Sequence, residues 1–233
     1  MTAKPKPQSV FVVKPEGEMF TLYRDGEALK TPRSLPVNVP TQRLAEALLG
    51  ECQGQGDRLD LRQMPLMQMT LTAIDISSHH RSEVIDGIVR YGESELVCQR
   101  ATEPLDLVAE QDAAWGPYLD WVQAKFNIDL RVGVGIVPFL QKPESLAVLR
   151  GFVEQFDAFH LTGVSEAVGI SGSLVLGLAL VTGHAKVEAV FAAAEFDQLW
   201  QAKKWGDDPA MQGRHAEIKR ELGVCVRWFE LLD

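Results

Sequence analysis

The segment GSLVLG at residues 172–177 contains two glycines at the spacing of a phosphate-binding loop. In such a loop the next two residues are a lysine, which supplies positive charge, and a serine or threonine, which binds magnesium. Here these positions are Leu178 and Ala179. The segment therefore lacks the side chains that would carry out phosphate chemistry.

Two pairs of polar residues could in principle bind a metal ion. His79 and His80 are adjacent, so on a helix or strand their side chains point apart, and no further ligand lies at metal-binding spacing. The pair Asp207 and Asp208 occurs in WGDDP, which is more typical of a solvated loop or a helix cap. Neither pair predicts a metal site.

The three cysteines, Cys52, Cys98 and Cys225, are far apart and never form a C-x-x-C pair. This pattern argues against a disulfide framework, and buried apolar positions are the default expectation for such residues. The N-terminal segment MTAKPKPQSV has no apolar stretch and no arginine, which argues against a secretion signal or a transit peptide. We expect a cytoplasmic protein.

The apolar run Leu174–Val181 is about eight residues long, whereas a helix that crosses a bilayer needs about 20. We therefore expect no membrane insertion. Instead, the run predicts a helix that is apolar on every side and lies in the middle of a bundle. Within that helix, Gly169, Ser173 and Gly177 are spaced by four and would let another backbone approach closely.

These segments lie in a chain whose hydrophobic periodicity changes near residue 78. Upstream, SVFVV and MFTLYR read as strands, Asp25-Gly26 as a hairpin turn, and Thr41 as the cap of a helix. Downstream, apolar residues recur mostly at helical spacing, with a helix that Ser78 could cap and a kink or break at Pro117. We predict an α+β protein, with a strand-rich N-terminal α/β domain at 1–77 and a mostly helical domain at 78–233.

Charge is distributed unevenly along the sequence. Residues 1–80 are neutral, with nine basic and nine acidic side chains, whereas residues 81–233 have 14 basic and 23 acidic ones. Binding to nucleic acid needs clustered cations, so this balance argues against a nucleic-acid partner.

Two segments have compositions found at protein interfaces. Met64, Met67 and Met69 lie close together in MPLMQM, where they fill a core or adapt to a partner. Trp200 and Trp205 lie beside paired lysines and aspartates in WQAKKWGDD, as interface anchors often do, although helix packing explains them equally well.

Five stretches, in this order and spacing, resemble a known family: DGEALKTPRSLPVNVPTQRLAEALL, DRLDLRQMPLMQMTLTAID, AAWGPYLDW, SGSLVLGLAL and WQAKKWGDD. The family is that of the assembly chaperones of the F-type ATP synthase catalytic head, which act on its alpha subunit in mitochondria and related bacteria. The resemblance implies a small N-terminal α/β domain with antiparallel strands followed by an orthogonal α-helical bundle. It also implies no cofactor, no catalysis and no small-molecule substrate.

The resemblance further implies that the chain binds the free alpha subunit and shields the surface that later meets the beta subunit. Relatives often have acidic residues around the W-Q-x-x-x-W-G stretch, where a glutamate is important. Here Gln198 and Leu199 precede Trp200, and Lys203 and Lys204 follow it. We therefore expect one exposed partner-binding patch that combines aromatic anchors with charge and comprises Asp197, Trp200, Trp205, Asp207 and Asp208, with Glu195 in place of the missing glutamate.

Two other functions remain as alternatives at this stage. A small hydrolase or transferase would have its site in a cleft between the domains, lined by titratable groups with shifted pKa values. A general peptide-binding module would use the segment from Met64 to Met69 and would bind unrelated unfolded chains as readily as the alpha subunit.

Overall fold

A computed structural model of the protein describes residues 9–55, 58–135, 139–206 and 209–233. The chain divides into two compact units, of which the first combines Met1–Arg81 with Trp228–Asp233 and the second is Ser82–Arg227. The sequence prediction had placed all of 78–233 in one domain, whereas the last six residues group with the first unit. Antiparallel strands near the N-terminus and predominant helix beyond them confirm the α+β fold class.

The first unit contains an antiparallel sheet of β1 (Phe11–Glu16), β2 (Met19–Arg24), β3 (Glu27–Ala28) and β4 (Asn38–Val39). Strand β2 pairs with all three others, with Phe11 opposite Arg24, Tyr23 opposite Ala28 and Phe20 opposite Val39. The predicted turn between β2 and β3 is confirmed. Asp25 and Gly26 both have positive φ angles, 52° and 88°, which suit a tight hairpin turn.

Two helices accompany this sheet. Helix α1 (Gln42–Gln55) begins after Thr41, whose Oγ1 accepts a hydrogen bond of 3.1 Å from the backbone N–H of Leu44, as predicted for a capping residue. Helix α2 (Pro65–Thr72) continues into a π-helical turn at Ala73–Ser77. Glu51 on α1 accepts hydrogen bonds from the backbone N–H groups of Leu66 and Met67 in the first turn of α2.

The methionines of α2 belong to the core. Met64, Met67 and Met69 are 0%, 3% and 6% exposed. Side chains buried to this degree cannot form a peptide-binding surface, so the peptide-binding alternative is wrong and the core interpretation is confirmed.

The rest of the chain is mainly helical. The helices are α3 (Arg81–Glu93), α4 (Leu105–Phe126), α5 (Pro143–Val153), α6 (Ala158–Ser171), α7 (Leu174–Val181), α8 (Val187–Ala194), α9 (Phe196–Trp205) and α10 (Pro209–Leu232). Strands β5 (Gln99–Arg100) and β6 (Gly133–Val134) form a short parallel pair. Helix α3 begins at Arg81 rather than after Ser78, because Ser78 closes the π-helical turn. Helix α4 continues through Pro117, so there is no break there, and the kink stays a prediction.

The apolar run Leu174–Val181 forms α7, but Gly169, which was expected in the same helix, lies in α6. Gly172 has a φ of 66° and ends α6, and the Oγ of Ser173 accepts a hydrogen bond of 2.9 Å from Leu176 N–H, which starts α7. Every residue from Leu174 to Leu180 is buried, which confirms a helix enclosed on all sides. Among the described residues, no helix is long and apolar enough to span a membrane.

Candidate functional site

Helix α9 presents its two tryptophans in opposite ways. Trp200 is 6% exposed, whereas Trp205, at the end of the helix, is 75% exposed. Their rings pack edge to face with centroids 5.9 Å apart, so the buried ring supports the exposed one. Gly206, with a φ of 98°, follows α9 directly.

An ion pair connects the end of α9 to the start of α4. Lys204 Nζ lies 2.6 Å from Asp106 Oδ2 and 4.9 Å from the centroid of the Trp200 ring. The hydrogen bond between the two charged groups lowers the pKa of Asp106 and raises that of Lys204. The pair joins the segments that carry Trp205 and Leu105, and Leu105 is 81% exposed.

A cavity of about 460 Å³ lies between these helices, and we call it the α4–α9 groove. Its walls include Glu103, Leu107, Asp197 and Trp205. Asp197 lies on the exposed surface of α9, one helical turn before Trp200 and two before Trp205. The groove therefore has both apolar and acidic walls.

Buried polar residues fix the position of these walls. Gln111 is 3% exposed, and its Oε1 accepts from the backbone N–H of Ala101 while its Nε2 donates to Asp197 Oδ1 at 2.9 Å. Arg100 is 5% exposed, with its Nε 2.6 Å from Asp112 Oδ1 and its guanidinium 5.2 Å from the Trp115 ring centroid. The Asp197 carboxylate is thus oriented by a rigid polar framework rather than by a flexible loop.

The structure brings Asp197, Trp200 and Trp205 together around the α4–α9 groove. It places Glu195 elsewhere: this residue is 7% exposed, and its carboxylate lies 3.4 Å from Arg214 Nη2 and 3.5 Å from His215 Nε2. The expectation that all these side chains are exposed is therefore wrong for Glu195 and Trp200. Glu195, at the start of α9, faces Arg214 and His215 of α10. Asp207 and Asp208 lie outside the described residues.

Comparison with known proteins gives this arrangement its context. The family of ATP12 chaperone proteins matches residues 8–123. The crystal structure of Atp12 from Paracoccus denitrificans is 30% identical and matches with a TM-score of 0.89 over 96% of both chains.

The chain belongs to the ATP12 chaperone family.

Two further solved structures agree with this assignment. A single-residue variant of the Paracoccus denitrificans protein is 29% identical, with a TM-score of 0.89 over 96% of this chain and 95% of that one. The Atu1473 protein of Agrobacterium tumefaciens has the same identity and TM-score over 96% of this chain and 84% of its own. The resemblance to ATP synthase assembly chaperones that the sequence motifs predicted is confirmed.

Several residues of the α4–α9 groove escaped the sequence analysis. Glu103 and Gln111 lie about 90 positions away from α9, and no local motif connects them with it. Neither residue carries a sequence signal for this position. Arg100 carries no such signal either, because a single arginine in a short strand does not indicate burial.

Metal-based chemistry finds no support in the part of the chain that the structure describes. No group of three or more histidine, cysteine, aspartate or glutamate side chains there is arranged to hold a metal ion. The arrangement of an exposed indole, an apolar wall and the oriented carboxylate of Asp197 is suited to contacting another protein.

Proposed function

We propose that this ATP12-family chaperone binds the free alpha subunit of ATP synthase through the α4–α9 groove and helps it assemble with the beta subunit. The observation that supports this surface most strongly is the exposure of Trp205, 75%, in a helix end held by an ion pair and a buried ring. A large aromatic ring that is both exposed and fixed loses little entropy on binding, which is the property of an interface hot spot.

The physical need for such a surface follows from how subunits assemble. An unassembled subunit of an oligomer exposes the apolar surface that will later be buried, and such surfaces associate wrongly unless they are covered. A chaperone must also leave, and interfaces of ordinary size are reversible because a few central residues, rather than total area, set their affinity. One exposed tryptophan beside a groove fits this requirement.

The proposal is tested by measuring binding of the purified alpha subunit to the full chain. Because Trp205 is exposed, we expect Trp205→Ala to fold normally and to weaken binding by about thirtyfold or more, the range of a hot-spot residue. Tyr91→Ala is the matched control, since Tyr91 is 40% exposed on α3 and lies outside the groove. Equal binding of the alpha subunit by wild type and Trp205→Ala would remove this surface from consideration.

Specificity for the alpha subunit needs its own comparison. The same assay with the isolated beta subunit and with an unrelated unfolded protein should show much weaker binding. Preferential binding of the beta subunit would contradict the proposal while leaving membership of the family unaffected. The absence of catalysis and the cytoplasmic location stay predictions, and turnover in a broad substrate screen would contradict the first of them.

A further inference from the structure

The charges around the α4–α9 groove do not cancel. Arg100 in the groove wall and Lys204 next to Trp205 are each paired with a carboxylate at 2.6 Å, Arg100 with Asp112 and Lys204 with Asp106. Paired charges this close largely neutralise one another at a distance. Of the acidic residues in the groove walls, Asp197 is held by the neutral amide of Gln111, and no described cation lies within ion-pair distance of Asp197 or Glu103.

Neighbouring charges do not reverse this balance. Lys203 is exposed on α9, but residues 197, 201 and 205 form the groove side of that helix at intervals of four, and position 203 falls on another side. Glu110 is close enough to Lys204 to raise its pKa, after the larger contribution from Asp106, and so adds negative charge near the rim. The groove therefore has an acidic potential.

The same groove offers apolar surface to a ligand. Trp205, which is 75% exposed, and Leu107 contribute apolar side chains to its walls. An arginine or lysine side chain has an apolar stem and a charged head, and it packs its stem on such surface while placing the head at carboxylates. An arginine also stacks favourably on an indole face.

From this combination we infer that the α4–α9 groove recognises a partner segment in which an arginine or lysine adjoins a large apolar residue. The basic head lies between Glu103 and Asp197, and the apolar side chain packs against Trp205 and Leu107. This inference rests on the proposed function for the identity of the partner but concerns the chemistry of the recognised segment. The surplus of acidic residues in 81–233, 23 against 14 basic, would also speed the encounter with a basic segment.

The first experiment measures the affinity of the full chain for the alpha subunit at about 50 and 300 mM salt. For wild type we expect the affinity to fall about tenfold between the two salt concentrations. For Glu103→Gln combined with Asp197→Asn we expect about tenfold weaker binding than wild type at low salt, and little further loss of affinity at high salt. The matched control is Asp120→Asn combined with Glu144→Gln, which removes the same charge from exposed positions outside the groove walls. The control should bind like wild type.

The outcomes separate the inference from the proposed function. If Trp205→Ala abolishes binding while the double charge variant at the groove binds like wild type at both salt concentrations, the inference is overturned and the proposed function stands. If neither change affects binding of the alpha subunit, the groove is not its binding surface and both fail.

A second experiment does not require the alpha subunit. The indole N–H resonances of Trp200 and Trp205 are followed by NMR in the full chain while acetyl-Leu-Arg-Leu-amide or acetyl-Leu-Glu-Leu-amide is added. We expect the arginine peptide to shift the Trp205 resonance, the glutamate peptide to leave it unchanged, and the double charge variant to lose the response. Equal shifts with both peptides, or none with either, would overturn the inference.

Discussion

The hydroxyl of Thr31 donates a buried hydrogen bond of 2.6 Å to Asp75 Oδ1, across 44 positions of sequence. The other carboxylate oxygen of Asp75 accepts from the backbone N–H of Arg33 at 3.2 Å. Thr31 belongs to the stretch DGEALKTPRSLPVNVPTQRLAEALL and Asp75 to DRLDLRQMPLMQMTLTAID, two of the five stretches that resemble the family. These motifs therefore meet in space, where they fix the loop before β4 to the turn after α2.

Removing this carboxylate should destabilise the first unit. Asp75 is 5% exposed, so Asp75→Ala leaves the Thr31 hydroxyl and the Arg33 N–H without their acceptor. We expect the free energy of unfolding to fall by about 2 kcal/mol, measured by urea denaturation, because unpaired buried polar groups are costly. Glu46→Ala, at an exposed position of α1, is the control and should change stability by less than about 0.5 kcal/mol. Equal midpoints for the two variants would contradict this role.

The close approach of α6 and α7 leads to a second prediction. A Cβ atom added to Gly177 would lie 2.9 Å from both Cα and N of Val168, and these backbone atoms cannot move without separating the helices. Gly177→Ala should therefore lower the free energy of unfolding by about 1–3 kcal/mol.

Gly169→Ala provides the matched comparison for Gly177→Ala. Position 169 is also in a helix, but a Cβ there meets nothing within 4 Å. Because alanine favours helix over glycine, this variant should be neutral or more stable by up to about 1 kcal/mol. Thermal unfolding of both variants measures the difference, and equal stability would show that the α6–α7 contact adapts to a methyl group.

A buried carboxyl group makes stability depend on pH. Glu95 is 0% exposed and accepts hydrogen bonds from Ser173 Oγ, Val175 N–H and Val97 N–H. Burial raises its pKa from 4.5 to about 7, although the hydrogen bonds partly oppose this shift. Between these two pH values the folded state therefore binds more protons at this position than the unfolded state does.

The sign of the effect follows from this difference in bound protons. As pH rises from about 4.5 to 7, the contribution of Glu95 should lower the free energy of unfolding by roughly 3 kcal/mol in total. Glu95→Gln cannot ionise and should lose this part of the pH dependence, while Glu93→Gln, at an exposed position, should retain it. Urea denaturation at several pH values measures the free energy of unfolding as a function of pH. Parallel pH curves for wild type and Glu95→Gln would refute this role of Glu95.

The three thiols should be unreactive in the folded protein. All three are buried: Cys52, Cys98 and Cys225. Burial raises the pKa of Cys52 to about 11 and that of Cys225 to about 12. It also raises the pKa of Cys98. At pH 8 a thiol-specific reagent should label the folded chain at least about 100 times more slowly than the chain in denaturant, where all three react. Rapid labelling of any cysteine without denaturant would show that it is accessible.

The sequence by itself determined the local elements and the family. The hairpin at Asp25-Gly26, the cap at Thr41 and the enclosed helix near residue 174 were predicted, because each depends on residues a few positions apart. Family membership was also accessible, because five motifs in a fixed order are specific together even where each alone is weak.

Only the tertiary structure decided which side chains face solvent. Trp200 and Trp205 lie five positions apart in one segment, yet one is buried and the other exposed, since burial depends on which side of α9 the neighbouring helices cover. The α4–α9 groove likewise joins Glu103 and Leu107 to residues about 90 positions away, and no short-range pattern encodes that contact. Periodicity is set by local backbone geometry, whereas a binding surface is set by long-range packing, which a single sequence does not display.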